Sequence, residues 1–140
     1  MNKLNAMIRQ FRELDFSYRL ELLLDYADNL PELPDKYRSA LEAGQNRVTE
    51  CQTPVFLWAE VENQKVRLYA DASPESPTVR GYVSFLVDTL SGMSPEEIEK
   101  APNNLLDQLA LSHYMGISRI QGLTALVPRI KEEVRKALRG

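Results

Sequence analysis

The residues best equipped for nucleophilic or metal chemistry occur once each: Cys51 and His113. Cys51 lies in "RVTECQTPVFLWAE", flanked by Thr49, Glu50, Gln52 and Thr53. A lone cysteine is most often a small buried core residue. Here the flanks are polar, and core-facing alternation starts only at Val55, after Pro54. That makes the thiol a candidate reagent. Glu50 beside it disfavours the thiolate, and an ordinary thiol of pKa ~8.5 is mostly protonated at neutral pH. Activation has to come from the fold or from a docked partner.

Three chemistries compete for these residues. A Cys51–His113 dyad would make a thiol-dependent hydrolase, but none of the local thiol-protease signatures is present. His113, in "LALSHYMG", reads more naturally as a surface or interface histidine. A structural zinc site needs about four cysteine or histidine ligands; this chain has one cysteine and one histidine. Iron–sulfur ligation by thiolates is equally short of ligands. There is no GxGxxG and no P-loop. The third reading is an interaction module in which the thiol is a spectator.

The elements that must position Cys51 fall into three stretches. Leu4, Met7, Ile8 and Phe11 share one helical face, with Asn2 as a candidate cap. Asp15 is a second N-cap candidate, followed by Leu20, Leu23, Leu24 and Ala27 at helical spacing. The prolines of "NLPELPD" stop that helix, and a short helix from about Asp35 to Ala43 ends at Gly44.

The period then changes to two. Val55, Leu57, Ala59 and Val61 alternate onto one face, and Val66, Leu68 and Ala70 do so after Asn63-Gln64. With those two residues as the turn, Val61 meets Val66, Ala59 meets Leu68 and Leu57 meets Ala70. On the other face Glu62 meets Lys65, Glu60 meets Arg67 and Trp58 meets Tyr69. Apolar pairs on one face and opposite charges on the other specify a hairpin register. Residues 46 to 49 are a candidate third strand, with Cys51 in the connection before the hairpin.

The last stretch is helical. Ser76-Pro77 is a cap followed by proline at the first helical position, and Val79, Tyr82, Val83, Leu86, Val87 and Leu90 form the stripe, closed by Gly92. Ser94 with Glu97 is a capping box, and Ser118 with Gln121 is a second. Leu123, Leu126, Val127, Ile130 and Val134 point inward, and Pro128 within that pattern predicts a kink or break. Helices, a small antiparallel sheet, then helices again is an α+β layout.

Composition bounds the class. The chain has 140 residues, which suits a single domain over 1–140 with a real core. Its net charge of −3 argues against a nucleic-acid binder. No apolar run is long enough to span a bilayer. The first residues, "MNKLNAMIRQFREL", lack the apolar h-region of a signal peptide. With one cysteine and no internal disulfide, a cytoplasmic location is expected.

The residues also resemble a known family. "TECQTPVFLWAEVENQKVRLYADASPESPTVRGYVSFLV" followed by "LSHYMGISRIQGLTALVPRIK" is similar to the SufE family of sulfur acceptors. The most specific parts are Cys-Gln-x-x-Val at 51–55, Val-Arg-Gly at 79–81 and Ser-Arg-x-x-Gly at 118–122, in that order. The resemblance implies an α+β fold shared with the IscU-like scaffold proteins. It implies a partner, a SufS-like cysteine desulfurase, and a cluster-assembly scaffold as downstream acceptor. Pyridoxal phosphate belongs to that partner; no cofactor of the chain's own is expected. Cys51 aligns with the family's persulfide acceptor, Arg119 with an arginine linked to the partner interface, and Glu75 with an acidic residue before the Val-Arg-Gly helix. Gln52 follows the acceptor in the motif and joins the expected partner-binding set. Many family members have glycine where this chain has Glu50. A paralogous acceptor serving a different desulfurase fits the same motifs, and the sequence leaves room for a homodimer. The relay thiol is expected on a protruding loop carried by the hairpin, partly sheltered at rest and exposed when the partner docks.

Overall fold

The computed structural model describes residues 2–140. Helix α1 spans Asn2–Glu13 and α2 spans Phe16–Asp28. The expected Asn2 cap rests on a side chain outside the described residues. Asp15 caps α2 as its type predicts, its carboxylate accepting from the Tyr18 amide at 3.0 Å. A 3-10 turn at Asp35–Tyr37 leads into α3, Arg38–Glu42, and Gly44 follows with φ +73°.

Strands β1, Val55–Glu62, and β2, Lys65–Ala72, form a two-stranded antiparallel sheet. Every pair the alternation predicts is present, from Glu62 with Lys65 to Leu57 with Ala70. Asn63 and Gln64 have φ of +54° and +63°, the left-handed values a type I′ turn requires. Val55, Leu57, Val66, Leu68, Ala70 and Ala72 are buried on the inner face. The outer face is not left to solvent. Tyr37 stacks on Trp58 with ring centroids 5.0 Å apart, and Trp58 is buried as a result.

The expected third strand at 46–49 is reduced to a single bridge, Arg47 with Phe56. Asn46 has φ +60°, outside the extended region, so the pairing cannot propagate. Two backbone bonds remain: Val48 N–H donates to Val55 C=O at 2.8 Å and Leu57 N–H to Asn46 C=O at 3.1 Å.

Helix α4, Pro77–Leu90, packs against α2 and β2 and is buried almost all round. Pro77 takes the first helical position as expected. Ser76 holds the N-cap place without making a capping bond; its hydroxyl lies 3.3 Å from that of Thr53 instead. Short helices α5, Pro95–Lys100, and α6, Leu105–Gln108, follow. The Ser94–Glu97 capping box at α5 forms with both reciprocal bonds.

The second expected box does not form. Helix α7 spans Ile117–Thr124 with Gly116 as its N-cap, so Ser118 is already inside the first turn. Helix α8, Leu126–Arg139, begins after a break at Ala125 and lies on β1. Pro128 explains the break: it has no amide to donate to Thr124 C=O, and the next regular bond is Arg129 N–H to Ala125 C=O at 3.0 Å. One hydrophobic cluster runs from Leu4 to Val134, and each large side chain buried in it contributes about 1.5–3 kcal/mol.

Candidate functional site

Cys51 occupies the segment between the Arg47 bridge and β1. The base of this loop is clamped from two sides. Asn46 Nδ2 donates to Leu57 C=O at 3.0 Å and to Glu133 Oε1 of α8 at 3.3 Å. Arg129 of α8 donates to Arg47 C=O at 3.2 Å, and Arg47 in turn donates to Gln52 C=O at 3.2 Å. Within the loop, Cys51 N–H donates to Val48 C=O at 3.1 Å, which curls the chain inward.

The thiol is therefore sheltered, but the loop does not protrude. Cys51 is 4% exposed and belongs to the hydrophobic cluster. Sequence polarity misleads here because Glu50 and Gln52 stay exposed while the residue between them turns in. A recess lined by Cys51, Gln52, Thr53, Val79, Arg119 and Leu123 leaves about 10 Å³, hardly room for one water. Burial pushes the Cys51 thiol up to about 11, the Glu50 carboxylate adds to the rise, and Arg47 offsets part of it. In this placement the sulfur is a neutral thiol and a poor nucleophile at neutral pH.

Two helices build the walls. Val79 comes from the first turn of α4, in the Val-Arg-Gly tract. Arg80 points the other way, its guanidinium donating to Ala27 C=O at 3.0 Å and to Ala72 C=O. A Cβ on Gly81 would collide with the Leu23 carbonyl oxygen, so that glycine lets α4 close on α2. From α7 come Arg119 and Leu123. Arg119 is exposed, and its guanidinium has no hydrogen-bond or ion-pair partner among the described residues. It sits in the first turn of α7, where the helix dipole disfavours a cation.

The structure thus brings Cys51, Gln52 and Arg119 to one recess. Glu75 is exposed in the turn before α4, its amide donating to Ser73 Oγ at 3.2 Å. It stands next to Ser76, whose hydroxyl meets that of Thr53. His113 is exposed in a 3-10 turn, Ser112–Tyr114, and does not line the recess. Sequence reasoning named Val79, Leu123 and Gly122 as stripe or motif residues but not as neighbours of the thiol: the first two line the recess, and Gly122 lies against the backbone of Glu50 and Cys51. A glycine inside a helical pattern costs about 1 kcal/mol against alanine, and at position 122 that cost was the available signal. Among the described residues no three metal-ligating side chains cluster.

A family model described as "SufE: Fe-S metabolism associated domain" matches residues 5–134. The chain belongs to the SufE family. An uncharacterized SufE-like protein of Mycobacterium tuberculosis is 33% identical over 135 residues, covering 96% of this chain and 92% of that one. The sulfur acceptor protein CsdE of Escherichia coli is 32% identical over 111 residues, covering 78% of this chain and 70% of its own length. A solution structure of a hypothetical protein from Thermus thermophilus superposes with a TM-score of 0.85 at 36% identity, over 99% of this chain and 97% of that one. The α+β arrangement, a small antiparallel hairpin with helices packed around it, is that of the SufE/IscU-like class.

Proposed function

We propose that this SufE-family chain is a sulfur acceptor that takes persulfide sulfur from a SufS-like cysteine desulfurase onto Cys51, stimulates that enzyme and passes the sulfur toward iron–sulfur cluster assembly. The observation that carries the reading is the recess itself: the sole thiol of the chain is seated beside Arg119, an exposed cation with no partner among the described residues. The relative named as a sulfur acceptor supports the same chemistry.

The transfer is a thiol–persulfide exchange. The Cys51 thiolate attacks the outer sulfur of the partner's persulfide, a new S–S bond forms at Cys51, and the partner's thiolate leaves. No net oxidation occurs, and the proton lost by Cys51 is taken up by the leaving thiolate or by water. The step needs no general base in this chain, which agrees with His113 lying outside the recess. It does need the thiol out of the recess, because a buried neutral sulfur cannot reach a second protein's active site. Arg119, Glu75 and Gln52, all exposed around the loop, are the residues through which the partner would grip it.

Cys51→Ser tests this directly. The variant is expected to bind the desulfurase within about tenfold of the parent, or about 1.4 kcal/mol. Mass spectrometry after incubation with desulfurase and cysteine should find no added sulfur on it, and stimulation of turnover should vanish. Stimulation equal to the parent's would make the thiol a bystander and end the proposal.

A further inference from the structure

Gly122 is buried in the interior of α7, where alanine is the better helix former. A Cβ built there lies 2.7 Å from Glu50 O and 2.9 Å from Cys51 Cα, both backbone atoms of the thiol loop. Gly116, at the start of the same helix, has nothing within 4 Å of its would-be Cβ. Of the helix glycine and the N-cap glycine, the loop therefore rests on the first and not on the second.

Something must give if position 122 gains a methyl group, and the two sides are not equal. Behind Gly122 the helix is held by Leu123, 1% exposed in the core, and by its packing on α6 and α8. In front of it lies a loop whose residues Thr49, Glu50 and Gln52 face solvent. Beyond Cys51 that loop is fastened among the described residues by three polar contacts, all 3.2 Å or longer: Arg47 to Gln52 C=O, Thr53 to Ser76, and the Ser73 amide to Pro54 C=O. The loop is the softer side.

We propose that Gly122 is a positioning residue that seats the Cys51 loop in its closed placement and so sets how much of the time the thiol is hidden. It deepens the sulfur-acceptor reading and rests on it only for the purpose served: a relay thiol kept closed until a partner opens it. The seating itself stands on the close approach of the two backbones.

The experiment is alkylation of Cys51 by iodoacetamide in the full chain, without any desulfurase, over a range of pH. Gly122→Ala should react about tenfold faster or more near neutral pH, the scale on which overpacking a close contact shifts a local opening equilibrium. The midpoint of its pH–rate profile should fall from about 11 toward that of an ordinary thiol. Gly116→Ala should behave as the parent. Hydrogen exchange of the α4 amides reports whether the core is intact. Parent-like α4 protection with faster alkylation supports the proposal. An unchanged alkylation rate overturns it. So does a Gly122→Ala chain that fails to fold or loses α4 protection, because position 122 would then serve core packing and not the loop. The relay reading is tested by sulfur transfer and can fail while this result stands.

Discussion

Helices α4 and α7 each set a glycine against a neighbouring backbone and carry an arginine close to it in sequence, and they use them differently. In α4, Gly81 admits the Leu23 carbonyl of another helix, and Arg80 is spent on the carbonyls of Ala27 and Ala72. In α7, Gly122 admits the backbone of a loop, and Arg119 is left without a partner among the described residues. The first pair joins two rigid elements, so every group is committed. The second joins a rigid element to a loop that the proposed sulfur relay requires to move. On that reading, similar short motifs mark a fixed joint in α4 and a working one in α7. What separates them is whether the facing backbone is itself held in regular structure.

The contrast predicts graded effects of substitution. Gly81→Ala should be the most damaging. Its Cβ meets helix backbone that cannot step aside, and about 2–3 kcal/mol of net stability should be lost despite the better helix former. Urea denaturation gives the value; a neutral or stabilising result would erase the distinction between the two glycines. Arg80→Ala comes next. Ala27 C=O is in the last turn of α2, and the residue four positions on is Pro31, which has no amide to offer. Losing a charged donor there should cost about 1.5–3 kcal/mol by the same measurement. Arg119→Ala should have the smallest effect on stability, within about 0.5 kcal/mol, yet it should weaken stimulation of a cysteine desulfurase at limiting concentration. Unchanged stimulation would return Arg119 to the solvated surface. A large loss of stability would show that it has a structural partner after all.

How much of this could be read in advance depends on how local the cause is. The hairpin register was legible from Glu62–Lys65 to Leu57–Ala70 because period-two burial and cross-strand charge act locally, between strands joined by a two-residue turn; the ladder runs on through Phe56–Asp71 to Val55–Ala72. The Ser94–Glu97 box was legible for the same reason. The Ser118–Gln121 pattern misled because Gly116, already extended with φ −74° and ψ 161°, could start the helix earlier. The supposed third strand failed on one left-handed residue, Asn46. Of the site, Cys51 and Arg119 were visible as residue types, and the motif order pointed to both. Shelter for Cys51 was expected; that the residue turns inward in place of riding on a protruding loop was not visible. Val79, Leu123 and Gly122, the residues that meet it there, are distant in the chain and reach it only after α4 and α7 have packed.

The hydrogen bond from Val48 N–H to Val55 C=O has a consequence of length. It ties off the base of the thiol-bearing segment, so in the proposed relay the sulfur would swing on a short tether and not on a free chain. Cys51 is three residues from the Val48 end, and at ~3.3–3.6 Å per fully extended residue its Cα can travel about 10 Å from that knot. A donor sulfur in that relay would therefore have to be brought close to the sheet edge. Most of the distance has to be covered by whichever protein offers it.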